Sequence, residues 1–228
     1  ILTTSSIRES RKSFMTHPFW SDEYWLLLMQ LYKKKPEGIK PLYSRPLVDL
    51  SLEIHIPPRY LYNQLFQLRH SNSPLIALLW KTYGHNGKRL NRDVEKLRSM
   101  KGFGHPDKFY DGVEVKETFE KDFRPLPQND HLKPIMLIMI LDLYFRLTPI
   151  TMVTQTPEVR QLAKLMDITP ELVCEVMDVF QFCDPYLNRD DLMINPLLLH
   201  CQEVWNRYGN DNPENLSALA AQLREYFK

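Results

Sequence analysis

The stretch QLAKLMDITPELVCEVMDVF, residues 161–180, has the clearest structural pattern in the chain. Apolar and small residues recur along it at the spacing of two short helices, and the sequence between those helices predicts a tight turn. Ala163 is small enough to let the second helix cross the first closely. Asp167, at the turn, belongs to the residue types that adopt a left-handed backbone more readily than most. Thr169 followed by Pro170 is typical of a helix start.

A second copy of the pattern lies 112 positions earlier, in DLSLEIHIPPRYLYNQLFQL at residues 49–68. At this offset the following residues coincide: Leu50 with Leu162, Ser51 with Ala163, Ile54 with Met166, Ile56 with Ile168, Pro58 with Pro170 and Leu61 with Val173. Further along, WKTYG at 80–84 matches WNRYG at 205–209 at an offset of 125, which indicates a small insertion in the second copy. Matches that repeat in the same order predict an internal duplication. The alternative is two unrelated helical domains that share a helical period.

The two copies resemble the helix-turn-helix superfamily. Its motif needs a small residue in the first helix, a turn residue that tolerates a left-handed backbone, and buried apolar residues on both sides. The resemblance implies an all-α protein made of two similar multi-helix units, each with a helix-turn-helix-like core. In that superfamily the early residues of the second helix face the base edges of DNA. The resemblance therefore implies that Arg59 and Asn63 contact bases, with Gln64 and Gln67 also exposed on that helix.

Breaks in the helical pattern divide the chain into four segments. We predict a basic N-terminal arm at 1–17, a first helical unit at 18–100, a linker at 101–131 and a second helical unit at 132–228. The linker begins with KGFGHPDKFYDG, which holds three of the seven glycines. The valines that follow, at 113 and 115, predict a small β hairpin in this joint. Just before the linker, we predict a short charged helix over 91–100.

The composition excludes several classes of protein. The net charge is +1, so the chain as a whole has no general attraction for nucleic acid or for a membrane. Its most apolar run, 135–147, contains Asp142 and Arg146 and is too short to cross a bilayer of ~30 Å, so it predicts a buried helix and no membrane partner. Three cysteines, an odd number, disfavour a disulfide framework and favour a reducing, cytoplasmic compartment.

Charge is unevenly distributed along the chain. Residues 81–108 hold eight Lys or Arg against three Asp or Glu, with aromatics and glycines between them. A basic patch beside a helix-turn-helix is what phosphate binding needs. We therefore predict phosphate contacts from Lys88, Arg89, Arg92 and Arg98, and duplex DNA as the partner of the first unit. The alternative is that these side chains are only a solvated surface.

Residues 157–191 have the opposite balance, three basic residues against eight acids. Phosphate repulsion makes this second motif a poor DNA reader, so we expect the second unit to contact protein. The opposite charges also allow the two units to pair with each other or with a second chain.

Residues that could carry catalysis are scattered. Cys174, Cys183, Cys201 and His200 lack the spacing of a metal site, and no Ser, Cys or Asp lies in a nucleophile elbow. We expect no metal, no cofactor and no enzymatic activity. The function that the sequence favours is that of a DNA-binding or transcription-regulatory protein. The alternative is a protein–protein interaction scaffold with no nucleic-acid binding, because the motif is also a compact structural solution.

Overall fold

The computed structural model describes residues 17–104, 118–187 and 194–228. Within these ranges the protein is helical and has no β-strand, only an isolated bridge between Leu126 and Asn129, so the all-α class is confirmed. The α-helices are α1 (Tyr24–Lys33), α2 (Arg45–Ile54), α3 (Pro58–His70), α4 (Pro74–Tyr83), α5 (Gly87–Ser99), α6 (Thr118–Phe123), α7 (Pro134–Arg146), α8 (Pro157–Met166), α9 (Pro170–Cys183), α10 (Leu198–Tyr208) and α11 (Pro213–Leu223). Short 3-10 helices at Pro149–Thr151 and Arg224–Phe227 follow α7 and α11. The hairpin predicted from Val113 and Val115, and all but the last residue of the predicted arm at 1–17, lie outside the described residues.

Proline and capping side chains mark where the helices begin. Seven helices, α2, α3, α4, α7, α8, α9 and α11, carry a proline in their first two positions, where its missing N–H costs nothing. The Thr169 side chain accepts a hydrogen bond from the backbone N–H of Leu172, as predicted for the start of α9. α5 begins at Gly87, earlier than predicted, because the Asn86 side chain accepts a hydrogen bond from the backbone N–H of Arg89 (3.0 Å).

Two turns with the same backbone geometry join α2 to α3 and α8 to α9. His55 and Asp167 are both left-handed, with φ of 57° and 56°. After each turn residue, the next backbone N–H donates to a carbonyl five positions earlier, from Ile56 to Ser51 (3.1 Å) and from Ile168 to Ala163 (3.0 Å). Such bonds close the C-terminal end of a helix and redirect the chain. The start of α8 and the start of α9 lie 112 positions after the starts of α2 and α3.

The first cluster of buried apolar side chains is built around α1. This helix packs against α3 and α5, while α2 packs against α3. The inward-facing residues include Leu28 of α1, Leu50 of α2, Leu61 and Leu65 of α3 and Val94 of α5. Each helix is amphipathic, so burial of these side chains holds the four helices together.

The helices α1 and α5 run in opposite directions. Where α1 begins, the Tyr24 ring meets the Phe103 ring, just after α5 ends (6.1 Å between centroids). Where α1 ends, the Lys33 ammonium donates to the backbone carbonyls of Tyr83 and Gly84, just before α5 begins. The start of α5 and its end therefore lie at opposite ends of the first unit.

The helix α3 runs in the same direction as α1. At its first turn the Tyr60 ring lies against Trp20, which precedes α1 (5.5 Å between centroids). At its last turn the Leu68 carbonyl accepts a hydrogen bond from the Trp80 indole of α4 (2.9 Å). One end of the first unit therefore holds the starts of α1 and α3, and the opposite end holds the ends of α1, α3 and α4 together with the start of α5.

The second cluster surrounds α7, the most apolar helix. Residues 134–144 of α7 are all buried, because α7 packs against α6, α8, α9, α10 and α11. Its one buried carboxylate, Asp142, pairs with the Arg146 guanidinium one turn later (2.9 Å). No helix in the described ranges is both long and apolar enough to cross a membrane. The apolar run that begins at Ile135 is therefore the central helix of a packed core.

Two features join the units. α2 contributes to both clusters, since Leu50 lies in the first and Val48 in the second. In the turn after α2, the two His55 ring nitrogens lie 2.7 Å from the Glu120 carboxylate of α6 and 2.9 Å from the Gly104 carbonyl. Within the predicted linker, the described residues after 117 form α6 and place Phe123 in the second cluster.

The left-handed turn after α8 allows a direct test of the backbone constraint. Asp167→Gly should raise the free energy of unfolding by about 0.5–1 kcal/mol, because glycine adopts this region without a Cβ penalty. Asp167→Val should lower it by about 1–3 kcal/mol, because a β-branched side chain is strained there. Urea denaturation measures both. Asp167→Asn removes the charge but tolerates the conformation and is the control, and a Val variant as stable as the wild type would contradict this account.

Candidate nucleic-acid interface

A long segment of the first unit contains no carboxylate. Residues 55–92, which we call the acid-free segment, hold six Lys or Arg and no Asp or Glu. The segment folds into the turn after α2, then α3, α4 and the start of α5. Its cations therefore have no acidic neighbour on the same stretch of chain. Its basic residues are Arg59, Arg69, Lys81, Lys88, Arg89 and Arg92.

The outer side of α3 is open to solvent. Arg59 and Asn63, predicted to contact bases, are exposed, and Phe66 and Arg69 continue the same side of the helix toward its end. Gln64 was predicted to be exposed, but it is buried (6% accessible), because its position on the helix faces the core with Leu65. The two predicted base-contacting residues thus lie on the exposed side, one turn apart.

Three of the predicted phosphate contacts lie together at the start of α5. Lys88, Arg89 and Arg92 are exposed and, with Asn86, line an open concave surface of about 320 Å³. Arg89 and Arg92 both approach the Asp93 carboxylate, at 3.7 and 3.2 Å. Asp93 thus pairs with two of the cations, and Lys88 adds a third, so the surface keeps an excess of positive charge.

The fourth predicted phosphate contact, Arg98, lies elsewhere. It is on the last turns of α5, where its guanidinium makes two hydrogen bonds to the Glu53 carboxylate of α2 (2.6 and 2.9 Å). These hydrogen bonds raise the pKa of Arg98, since they favour its charged form. Arg98 and Glu53 largely cancel each other's charge, so Arg98 does not add to the cluster at the start of α5.

The structure does not bring Arg59 and Asn63 together with the cluster on α5, because α3 and α5 begin at opposite ends of the first unit. It instead adds cations that the sequence did not single out. We name the group the cationic end, and its exposed members are Lys34 and Lys35 after α1, Arg69 at the end of α3, Lys81 near the end of α4, and Lys88, Arg89 and Arg92 of α5. Two hydrogen bonds join these helix ends. Lys33 donates to the carbonyl of Tyr83, and the Trp80 indole donates to the carbonyl of Leu68. The absence of acids from 55–92 was the sequence signal that could have found Arg69 and Lys81.

The outer face of α4 is apolar. Within this helix only Ile76 is buried, whereas Leu75, Ala77 and Leu78 are exposed, Leu78 by 59%. Phe66 of α3 is also exposed, by 52%. By contrast α10, whose WNRYG resembles the WKTYG of α4 in sequence, is packed more closely, because α10 contacts both α7 and α9. The α4 face is therefore an apolar surface that no described helix covers.

Groups that could carry chemistry are dispersed. Among the residues that the structure describes, no three His, Cys, Asp or Glu side chains are grouped so as to hold a metal ion. The three cysteines are free thiols. Burial raises the pKa of the Cys183 thiol to about 11, and it raises the pKa of the Cys201 thiol further. These two thiols are therefore protonated at neutral pH.

Comparison with known proteins adds no relative. No protein-family model, no curated protein and no solved structure matches the chain.

The raised pKa values predict slow thiol chemistry in the folded protein. At pH 8 a thiol-specific disulfide reagent should react with Cys183 and Cys201 at least about tenfold more slowly than in denaturant, because little thiolate is present and Cys201 is fully buried. Absorbance of the released thiolate measures the rate, with the single variants Cys183→Ser and Cys201→Ala assigning each phase. Rapid reaction of Cys201 in the native protein would contradict the burial described here.

Proposed function

We propose that this protein binds duplex DNA through its first unit and acts in regulation of transcription. The observation that carries the proposal is the cationic end, where seven exposed Lys or Arg from four helix ends lie at one end of the first unit. DNA presents a dense row of phosphates, and clustered Lys and Arg side chains release its counterions on binding. The acid-free segment removes the repulsion that a carboxylate on α3 or α4 would add.

The exposed side of α3 connects the cationic end to the predicted base contacts. α3 has 13 residues, and at a rise of 1.5 Å per residue it is about 20 Å long. A duplex that lies along α3 therefore reaches Arg59 and Asn63 at one end while its backbone meets Lys88, Arg89 and Arg92 at the other. In this arrangement the cationic end supplies affinity, and Arg59 and Asn63 supply base contacts.

We further propose that the two units derive from one duplicated helix-turn-helix-like unit. The matching helix starts, the two left-handed turn residues and the two N–H bonds to Ser51 and Ala163 support it. The copies then diverged in charge, since α9 carries exposed Glu171 and Glu175 where α3 carries Arg59 and Asn63. These acids repel phosphate, so the second unit suits a protein partner.

A second candidate function is a protein-interaction scaffold without DNA binding. The apolar face of α4, with Leu75 and Leu78 exposed beside Lys81, favours it. Exposed apolar patches bordered by polar residues mark interaction sites. A partner helix with apolar residues on one side and acids at its border would match this face.

Fluorescence anisotropy of a labelled mixed-sequence duplex, titrated with the full chain across a salt series, tests the proposed function. Affinity should fall steeply with salt. The triple variant Lys88→Ala, Arg89→Ala, Arg92→Ala should reduce the slope of log affinity against log salt by about 2–3, because each lost phosphate contact removes about 0.9. Asn63→Ala should weaken binding with little change in slope, since it removes a base contact.

Lys164→Ala is the matched control, because Lys164 is an exposed lysine on α8, outside the cationic end. It should leave both affinity and slope unchanged. If the full chain shows no binding even at low salt, or if the triple variant keeps the wild-type slope, the DNA proposal fails. Loss of binding by Lys164→Ala equal to that of the triple variant would mean only diffuse charge attraction.

A further inference from the structure

A small cavity lies at the joint between the two units. Its volume is about 120 Å³, and the first turn of α3 borders it together with α6, α7, α10 and α11. Ile138, Leu219 and Leu223 provide an aliphatic surface, and Phe119 and Tyr208 provide aromatic ones. A cavity of about 150 Å³ lined by such side chains accepts a benzene ring. This one is smaller but opens to the surface, so it has room for a short branched chain or for a single ring that is only partly enclosed.

Two arginines lie at the cavity, and within the described part of the chain only one of them is paired with a carboxylate. Asp122 binds Arg207 through both carboxylate oxygens, each at 2.7 Å, and this pair is neutral as a unit. Arg59 also borders the cavity, and its exposed guanidinium makes no hydrogen bond or ion pair with any residue that the structure describes. Among the described residues, the cavity thus has largely apolar walls and one guanidinium, that of Arg59, which is not paired with a carboxylate.

Two phenols also border the cavity, Tyr43 and Tyr208, and the Tyr208 hydroxyl accepts a hydrogen bond from Arg207 (2.9 Å). Burial raises the pKa of Tyr43, although the nearby Arg59 charge opposes the shift. At neutral pH the Tyr43 hydroxyl therefore carries its proton and can donate a hydrogen bond. A guanidinium and a phenol beside an apolar cavity are two donors suited to a carboxylate.

We infer that this cavity binds a small monocarboxylic acid with one aromatic ring or a short branched chain. The apolar body enters the space between Ile138, Leu219 and Phe119, and the carboxylate remains at the surface on Arg59. The planar guanidinium fork binds a carboxylate through two parallel hydrogen bonds, and the apolar cavity beside it accepts the body of the ligand. Binding at this site does not require DNA, so it holds or fails independently of the proposed function.

Isothermal titration calorimetry of the full chain with benzoate tests the inference. Benzoate should bind with one-to-one stoichiometry, and Arg59→Gln should weaken it by about tenfold to a hundredfold, because a charge-assisted hydrogen-bonded pair is lost. Leu219→Trp should abolish binding by filling the cavity, while thermal melting confirms that the variant is folded. Leu219 lines the cavity and is only half buried, so the larger ring can enter the cavity without displacing a fully buried side chain.

Two controls separate this site from general anion binding. Arg160→Gln removes an exposed arginine of α8 and should leave the benzoate affinity unchanged. Benzyl alcohol keeps the ring but lacks the charge, so it should bind more weakly than benzoate and be insensitive to Arg59→Gln. The inference is overturned if benzoate does not bind, if acetate binds as tightly as benzoate, or if Arg59→Gln and Leu219→Trp bind benzoate as the wild type does.

Discussion

The architecture of each unit depends on one residue with a left-handed backbone between two helices. At His55 and at Asp167 the chain turns so that the next N–H bonds back to a carbonyl five positions earlier, and the following helix begins three residues after the turn residue. The apolar sides of both helices then face the same core. In the first unit this turn gives α3 its contact with α1, and in the second it gives α9 its contact with α7.

The direction of the helices decides which charges act together. Because α1 and α3 run in one direction and α5 in the other, the start of α5 meets the ends of α3 and α4. Cations distant in sequence, such as Arg69 and Arg92, therefore lie at the same end, while Arg59 lies at the opposite end of α3, beside the joint. The first turn of α3 is thus shared between two surfaces, the outer side of the helix and the cavity next to the second unit.

Local features of the fold could be predicted from the sequence. Proline after a polar residue marks the start of α9, and the tolerance of aspartate for a left-handed backbone placed the turn at Asp167. Features that depend on packing could not. The spacing of apolar residues predicts helices but not which helix ends lie side by side. The sequence therefore placed Arg98 in the same cluster as Arg89, whereas in the structure Arg98 pairs with Glu53 on α2. Gln64 has a polar side chain and is therefore expected at the surface, yet its position on α3 directs it into the core. In the candidate nucleic-acid interface, the local excess of Lys and Arg in the sequence predicted the cluster on α5. The cations at the ends of α3 and α4 could be assigned to the same surface only from the three-dimensional arrangement.

The placement of α2 between the two clusters bears on how the protein can evolve and be divided. Val48 packs in the second cluster, and the partly buried Tyr43 and Leu52 pack against it. A gene fragment that encodes only the second unit would therefore lack three of the side chains that complete its core. The two units are therefore not separable parts of the chain. Recombination that exchanged either half for another helical unit would have to bring a compatible α2 with it, which ties the inheritance of the two halves together.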